Sequence, residues 1–181
     1  MGKPKALLDA GGESFLSRIL SSLETGGADP LIVVVRATDD PVASEAEGRG
    51  ASVILNPDPT PGPVSSLQCG IRHLPDDIGA LLFAPVDHPL FSAETVRSLI
   101  GAFAETGAPL VVPAFEGWRG HPVLFSRDLF PELLEDDLPE GARTVVRRYL
   151  EARIQLEVTD SGILADIDTP EEYLRHFRKW P

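Results

Sequence analysis

Two short runs in this sequence are apolar at every position, and they restrict the fold more than any other feature. They are residues 31–35 and residues 80–84, and neither run contains a polar side chain. Strands that are buried on both faces have this composition, whereas a strand with one face in water alternates apolar and polar residues. Both runs therefore predict buried strands of a sheet that is mostly parallel.

Helical patterns alternate with strand patterns along most of the chain. Residues 14–23 place apolar side chains at helical spacing, and further helices are predicted at residues 64–74, 92–106, 129–134, 142–150 and 170–178. Further strands are predicted at residues 52–55, 110–113, 123–125 and 154–158. This alternation is typical of an α/β fold with three layers, in which helices cover both faces of the sheet.

Length and composition predict one domain and argue against several kinds of partner. The 181 residues suit a single domain spanning 1–181, in which the less regular segment 116–140 is expected to form a lobe that supplies the pocket of a second substrate. A net charge of −12 argues against binding to nucleic acids or anionic membranes. Cys69 is the only cysteine, which excludes an internal disulfide and suits a reducing cytoplasm. A homo-oligomer is compatible with the sequence.

Acidic side chains follow two of the apolar stretches. Asp87 comes shortly after residues 80–84, Asp166 comes directly after residues 162–165, and Asp168 follows two residues later. Ligands of open α/β sheets bind at the carboxyl ends of the strands, and carboxylate oxygens are the ligands that Mg²⁺ prefers. A magnesium site is one explanation of these residues. The alternative is that Asp87 forms a turn, and that residues 168–170 cap a helix beginning at the following proline.

Five stretches in a fixed order carry a resemblance to a known family. They are residues 1–8, 87–89, 120–125, 141–143 and 166–170, beginning with Met-Gly-Lys-Pro-Lys-Ala-Leu-Leu and including Asp-His-Pro and Gly-His-Pro. Together they resemble the MobA-like nucleotidyltransferases, and the last three stretches are most similar to the branch that contains molybdenum cofactor cytidylyltransferase. The resemblance extends over nearly the whole chain.

The resemblance implies a fold and a reaction. The fold would be a Rossmann-like α/β/α sandwich of the nucleotide-diphospho-sugar transferase type. The reaction would transfer a nucleotidyl group from a nucleoside triphosphate, with CTP favoured, to a phosphorylated acceptor such as the molybdenum cofactor, and would release pyrophosphate. Asp87, Asp168 and Asp166 would hold Mg²⁺, and Lys5 would neutralise phosphate charge. The alternative for Lys5 is a solvated surface lysine.

The same resemblance implies residues that bind the two substrates. The nucleotide would contact Lys5 and four small residues, namely Gly2, Gly62, Ser65 and Ser66. The acceptor would contact Arg119, His121, Arg143 and Thr144. Capping of a helix explains the two serines equally well, and simple surface exposure is the alternative for the acceptor-side residues.

One element of the family pattern lies outside this sequence. Members of the family begin with a strand and a loop of the type Leu-Ala-Ala-Gly-x-Ser-x-Arg, whereas this sequence starts after that element, so the first strand of the sheet is expected to be missing. We favour an N-terminal segment that is absent from the printed sequence. The alternatives are a catalytically impaired homologue that binds a nucleotide or cofactor, and a nucleotide-sugar glycosyltransferase that uses residues 166–168 as an Asp-x-Asp motif.

Overall fold

The computed structural model describes residues 4–37 and 41–177. Its strands are β1 (Ile32–Val35), β2 (Ser52–Leu55), β3 (Ala80–Phe83), β4 (Leu110–Phe115), β5 (Trp118–Arg119), β6 (Val123–Ser126) and β7 (Ile154–Glu157). Its α-helices are α1 (Phe15–Gly26), α2 (Pro41–Gly48), α3 (Pro63–Ile71), α4 (Ala93–Thr106), α5 (Phe130–Leu133), α6 (Ala142–Arg148) and α7 (Pro170–His176). The predicted alternation of strands and helices is confirmed.

Helix ends follow the capping residues in the sequence. The side chain of Ser14 accepts a hydrogen bond from the Ser17 amide at the start of α1, and Ser92 does the same for the Thr95 amide at the start of α4. At α7, Thr169 and Glu172 form a reciprocal capping box. These bonds satisfy amides that have no partner within the helix, so the three helices begin where the sequence predicts.

The strands form two separate sheets. One sheet contains β1 and β2, which are parallel. The other has the order β3, β6, β4 and β5, with β7 added in parallel to β4. β3, β4 and β7 run in one direction, and β5 and β6 run against them because β4 turns back through a tight hairpin. Glu116 and Gly117 occupy that turn with φ angles of 51° and 81°, as a two-residue hairpin requires.

The segment 116–140 contributes to the sheet as well as to its cover. It contains β5 and β6, and β6 lies between β3 and β4 with its four residues buried. After β6 the chain forms a turn of 3₁₀-helix and then α5, which packs its Phe130 and Leu133 into the core. Within this segment, the hairpin turn and the residues after Ser126 therefore lie outside the strands of the sheet.

An open apolar channel separates the two sheets. It has a volume of about 710 Å³ and is bordered by β1 on one side and β3 on the other. Although both strands are apolar on both faces, Ile32–Val34 and all of Ala80–Phe83 are only half-buried, because each strand has one edge on the channel. Among the described strands, none pairs with these two edges.

The helices of the described ranges are all too short or too polar to cross a membrane.

Candidate functional site

The carboxyl end of β3 brings together two acidic segments that are far apart in the sequence. β3 ends at Phe83, and the chain continues through a turn to Asp87. The backbone amide of Ile167 donates a hydrogen bond of 2.9 Å to the Asp87 carbonyl oxygen, which fixes the C-terminal segment beside that turn. Asp166 therefore lies next to Asp87, as the sequence predicts for ligands at a strand end.

Asp87, His88 and Asp166 form a cluster that could hold a metal ion. Each contributes a ligand atom, and these atoms lie within 4.8 Å of one another. Oδ1 of Asp87 and Nδ1 of His88 are buried and have no hydrogen-bond partner in the described structure. Buried polar atoms without a partner are costly, and a cation would satisfy both. The donor set therefore fits a divalent metal.

The charge around Asp166 also favours a cation. Burial raises the pKa of the Asp166 carboxyl group above its usual value. The His88 ring opposes this rise, whereas the carboxylates of Asp168 and Asp87 add to it by repulsion. A cation among these carboxylates would remove the repulsion and favour the ionised form.

Asp168 lies beside this cluster but contacts a different partner. The ammonium group of Lys5 donates a hydrogen bond to the Asp168 carboxylate and forms an ion pair with it. The predicted Lys5 and Asp168 are thus brought together, and Asp168 is outside the group of three converging ligands. The alternative explanation, that residues 168–170 cap a helix, holds for Thr169, which is the N-cap of α7. Gly2 lies outside the described residues.

His121 packs directly against the cluster. Its ring centroid is 4.4 Å from that of His88, and its backbone amide donates a hydrogen bond of 3.0 Å to the Ile163 carbonyl oxygen. Burial lowers the pKa of His121 to about 4, helped by the nearby charges of His88 and Arg143 and opposed by a hydrogen bond with the Phe83 backbone. His121 is therefore neutral at physiological pH and supports the His88 ring as an uncharged neighbour.

We expect folding stability to fall as the pH is lowered from about 6.5 to about 4, through His121. The unfolded chain protonates this residue near pH 6.5 and the folded chain only near pH 4, so the unfolded state binds more protons in that window. Above pH 6.5 the residue is neutral in both states and contributes no pH dependence. The loss at pH 4 should be roughly 3 kcal/mol.

Urea unfolding of the wild type and of His121→Gln at pH 7 and pH 4.5 measures this contribution. The stability of the variant should depend less on pH than that of the wild type. His176→Gln, which changes an exposed histidine, serves as the control and should keep the wild-type dependence. Equal pH dependence for the wild type and His121→Gln would contradict the assignment.

The start of α3 holds the predicted nucleotide-side residues. Gly62 is the N-cap of α3, and the hydroxyl of Ser65 donates a hydrogen bond of 2.8 Å to the Gly62 carbonyl oxygen. The side-chain amide of Asn56 donates to Ser65 Oγ at 2.9 Å and to Ser66 Oγ at 3.1 Å. Asn56 follows β2 directly, so it ties the end of that strand to the helix start. Gly62, Ser65 and Ser66 are thus adjacent, and the hydrogen bonds described here join them to other groups of the protein.

The acceptor-side residues lie on two elements. Arg143 and Thr144 belong to the first turn of α6, and the N-cap of that helix, Gly141, approaches Val64 of α3 closely. Thr144 accepts a hydrogen bond of 3.1 Å from the backbone amide of Glu140. The charge of Arg143 helps to lower the pKa of His121, so the first turn of α6 is within electrostatic reach of that ring. Arg119 is exposed on β5, two residues before His121.

Sequence reasoning did not assign a role to two residues that the structure places at the site. His88 contributes a candidate ligand atom, and Asn56 organises the start of α3. The available signals were position and residue type, because Asn56 follows a strand directly and His88 follows Asp87. Neither signal shows which way a side chain points.

Comparison with known proteins identifies relatives over the whole chain. The MobA-like NTP transferase domain matches residues 1–154. A molybdenum cofactor guanylyltransferase from Rhizobium meliloti is 32% identical over 99% of the chain and 85% of its own length. The purine catabolism protein PucB of Bacillus subtilis is 30% identical over 96% of the chain and 87% of its own length.

Solved structures share the fold. Rv0371c of Mycobacterium tuberculosis, solved in complex with manganese, superimposes with a TM-score of 0.80 at 24% identity, covering 98% of the chain and 94% of that protein. A nucleotidyl transferase from Methanothermobacter gives a TM-score of 0.76 at 26% identity, covering 94% of the chain and 82% of that protein. The likeness covers nearly the entire length in both cases.

Proposed function

Because the chain belongs to the MobA-like NTP transferase family and is a nucleotidyltransferase, we propose that it transfers CMP from CTP to a phosphorylated acceptor of the molybdenum cofactor type and releases pyrophosphate. The observation that supports this most is the convergence of Asp87, His88 and Asp166 at the carboxyl end of β3. The single cysteine fits a cytoplasmic enzyme. A homo-oligomer stays a prediction.

The reaction joins the acceptor to the α-phosphorus of the nucleotide. An oxygen of the acceptor phosphate attacks the α-phosphorus, the bond from that phosphorus to the β-phosphate oxygen breaks, and pyrophosphate leaves. Negative charge builds on the α-phosphate and on the leaving group, so fixed positive charge and oriented donors lower the barrier. The chain would supply this charge from Lys5, which pairs with Asp168 beside the cluster, and from Arg143, whose charge acts on His121.

The cluster would hold the divalent cation that the family resemblance implies. Bound there, the cation would neutralise phosphate charge during the transfer. Mg²⁺ is the expected ion, because oxygen ligands from Asp87 and Asp166 suit it. The imidazole of His88 adds a nitrogen donor, and nitrogen donors suit Mn²⁺ and later transition metals better than Mg²⁺. We therefore expect Mn²⁺ to bind at least as tightly as Mg²⁺.

A second candidate differs only in the nucleotide. The Rhizobium meliloti relative is a guanylyltransferase, which favours GTP as the donor. In this second candidate the acceptor is the same, and only the base of the donor nucleotide changes. The base therefore has to be identified by direct comparison of CTP and GTP.

Pyrophosphate release from CTP, GTP, ATP and UTP tests the proposal, with molybdopterin as acceptor and with Mg²⁺ or Mn²⁺. The 181-residue chain should be assayed beside an extended version that carries an N-terminal strand and glycine-rich loop of the family type. Release that requires the acceptor and prefers CTP would support the proposal, and a preference for GTP would support the second candidate.

Calorimetry with the same nucleotides distinguishes a transferase from a binding homologue. Nucleotide binding without pyrophosphate release, in both the 181-residue chain and the extended version, would overturn the proposed activity. Hydrolysis of a nucleotide sugar without pyrophosphate release would instead indicate the glycosyltransferase alternative.

A further inference from the structure

The side chain of Asp160 joins two segments that are far apart in the sequence. The backbone amide of Ser92 and the hydroxyl of Thr95 each donate a hydrogen bond of 2.7 Å to its Oδ2. The backbone amide of Gly162 donates to its Oδ1 at 2.9 Å. Hydrogen bonds to a carboxylate are stronger than those between neutral groups, and Thr95 is only 1% exposed, so water competes little for its hydroxyl.

The two joined segments are those that carry the candidate metal ligands. The first runs from the end of β3 to Ser92, the N-cap of α4, and holds two of the three ligands. The second begins at Asp160, the N-cap of a 3₁₀ turn at Ser161–Leu164, and continues to the third ligand, Asp166. Asp160 therefore bonds the end of the first segment to the start of the second.

The backbones of the two segments approach each other closely at this junction. A Cβ atom at Gly162 would lie 2.7 Å from the carbonyl carbon of Leu90 and closer still to its oxygen, so glycine is required for the approach. Phe91 and Ile163 are buried in one apolar cluster, which brings a residue of each segment together. The hydrogen bonds of Asp160 thus lie beside a dry, closely packed contact.

A second link joins the same two segments next to the ligands. It is the hydrogen bond of 2.9 Å from the Ile167 amide to the Asp87 carbonyl oxygen. His88 lies between the two anchor points of the first segment, and Asp166 lies between those of the second. Each ligand-bearing span is therefore held at both ends, and a span held at two points cannot swing away about either of them.

We propose that Asp160 is a positioning residue for the metal site, because it fixes the distance between the Asp166 carboxylate and the ligand atoms of Asp87 and His88. Asp160 is not one of the three converging ligands, so it acts through them. This inference rests on the proposed function only in requiring a metal ion at the cluster. Removing a residue that orients metal ligands typically weakens metal binding by about 10- to 100-fold.

The Asp160→Asn substitution in the 181-residue chain tests this role. Asparagine has the same shape but turns one acceptor oxygen into a donor, which would face a donor of Ser92, Thr95 or Gly162. Electron paramagnetic resonance should show Mn²⁺ binding that is weaker by about 10-fold or more. The nitrogen coupling that His88 gives to bound Mn²⁺ in the wild type should be lost or reduced.

Thr95→Val gives a milder form of the same test, in case Asp160→Asn does not fold. It removes one of the three hydrogen bonds and introduces no new polar group, so Mn²⁺ binding should weaken by a smaller factor. Hydrogen exchange provides a readout without metal. The Ile167 amide should exchange about 10-fold faster or more in Asp160→Asn than in the wild type, because the link at the far end of its segment is lost.

Leu133→Ala controls for a general loss of stability. Leu133 is fully buried in α5 and belongs to a different apolar cluster, so its truncation should lower the melting temperature by about 5 to 15 °C. Its affinity for Mn²⁺, measured below the unfolding transition, should equal that of the wild type.

The outcomes separate the role of Asp160 from the metal site itself. Wild-type affinity and an unchanged nitrogen coupling in both Asp160→Asn and Thr95→Val would overturn the positioning role alone. An equal loss of affinity in Leu133→Ala would also overturn it, because binding would then follow overall stability. A wild type that binds no Mn²⁺ would overturn the metal site, and the role of Asp160 with it.

Discussion

The Asp87→Asn substitution is expected to lower the rate of pyrophosphate release by about 100- to 1,000-fold, because it removes an anionic ligand from the cluster at the end of β3. Asparagine has nearly the same shape as aspartate, so the fold should be retained. It keeps one carbonyl oxygen but has no charge with which to attract a cation. The expected loss follows from electrostatics and not from packing.

Binding of Mn²⁺ by the same variant provides a readout that is independent of turnover. Electron paramagnetic resonance should show an affinity for Mn²⁺ that is weaker by about 10-fold or more than in the wild type. Asp137→Asn is the matched control, since it makes the same chemical change at an exposed residue and should alter neither activity nor Mn²⁺ binding. Full activity in Asp87→Asn would remove Asp87 from the mechanism.

The acidic cluster was partly predictable because the end of a strand can be recognised in the sequence. An apolar run followed by an acidic residue placed Asp87 at the carboxyl end of a strand, and the structure puts β3 at Ala80–Phe83. The second acidic segment was predicted to lie nearby, and the hydrogen bond from Ile167 to Asp87 brings it there. Periodicity and capping are local, so they also predicted six of the seven described α-helices, whereas α2 (Pro41–Gly48) was not predicted.

Other features depend on contacts between distant segments, which a single sequence does not specify. The pairing of Lys5 with Asp168 joins residues at opposite ends of the chain. The direction of β6 depends on a hairpin whose strand β5 has only two residues, too few for a periodic pattern. The convergence of His88 with Asp166 depends on side-chain direction in a turn, for which sequence periodicity gives no rule.

We expect the Gly120→Ala substitution to destabilise the fold by about 3 kcal/mol or more and to lower the melting temperature by about 10 °C. A Cβ atom at Gly120 would lie 2.6 Å from the carbonyl carbon of Ile163 and 2.9 Å from its Cβ, and closer still to the carbonyl oxygen. The obstacle is backbone, which cannot rotate away as a side chain can. The adjacent hydrogen bond from the His121 amide to Ile163 would be strained as well.

A substitution at a second glycine, Gly101, distinguishes the clash at Gly120 from a general effect of adding a methyl group. Gly101 lies inside α4, and a Cβ atom there would meet no other atom within 4 Å, so Gly101→Ala should stabilise the helix by up to about 1 kcal/mol. Thermal unfolding of both variants should therefore give shifts of opposite sign. Gly120 directly precedes His121, whose ring lies 4.4 Å from that of His88, so Gly120→Ala should also weaken Mn²⁺ binding, whereas Gly101→Ala should not. Shifts of the same sign would show that the contact between Gly120 and Ile163 can relax.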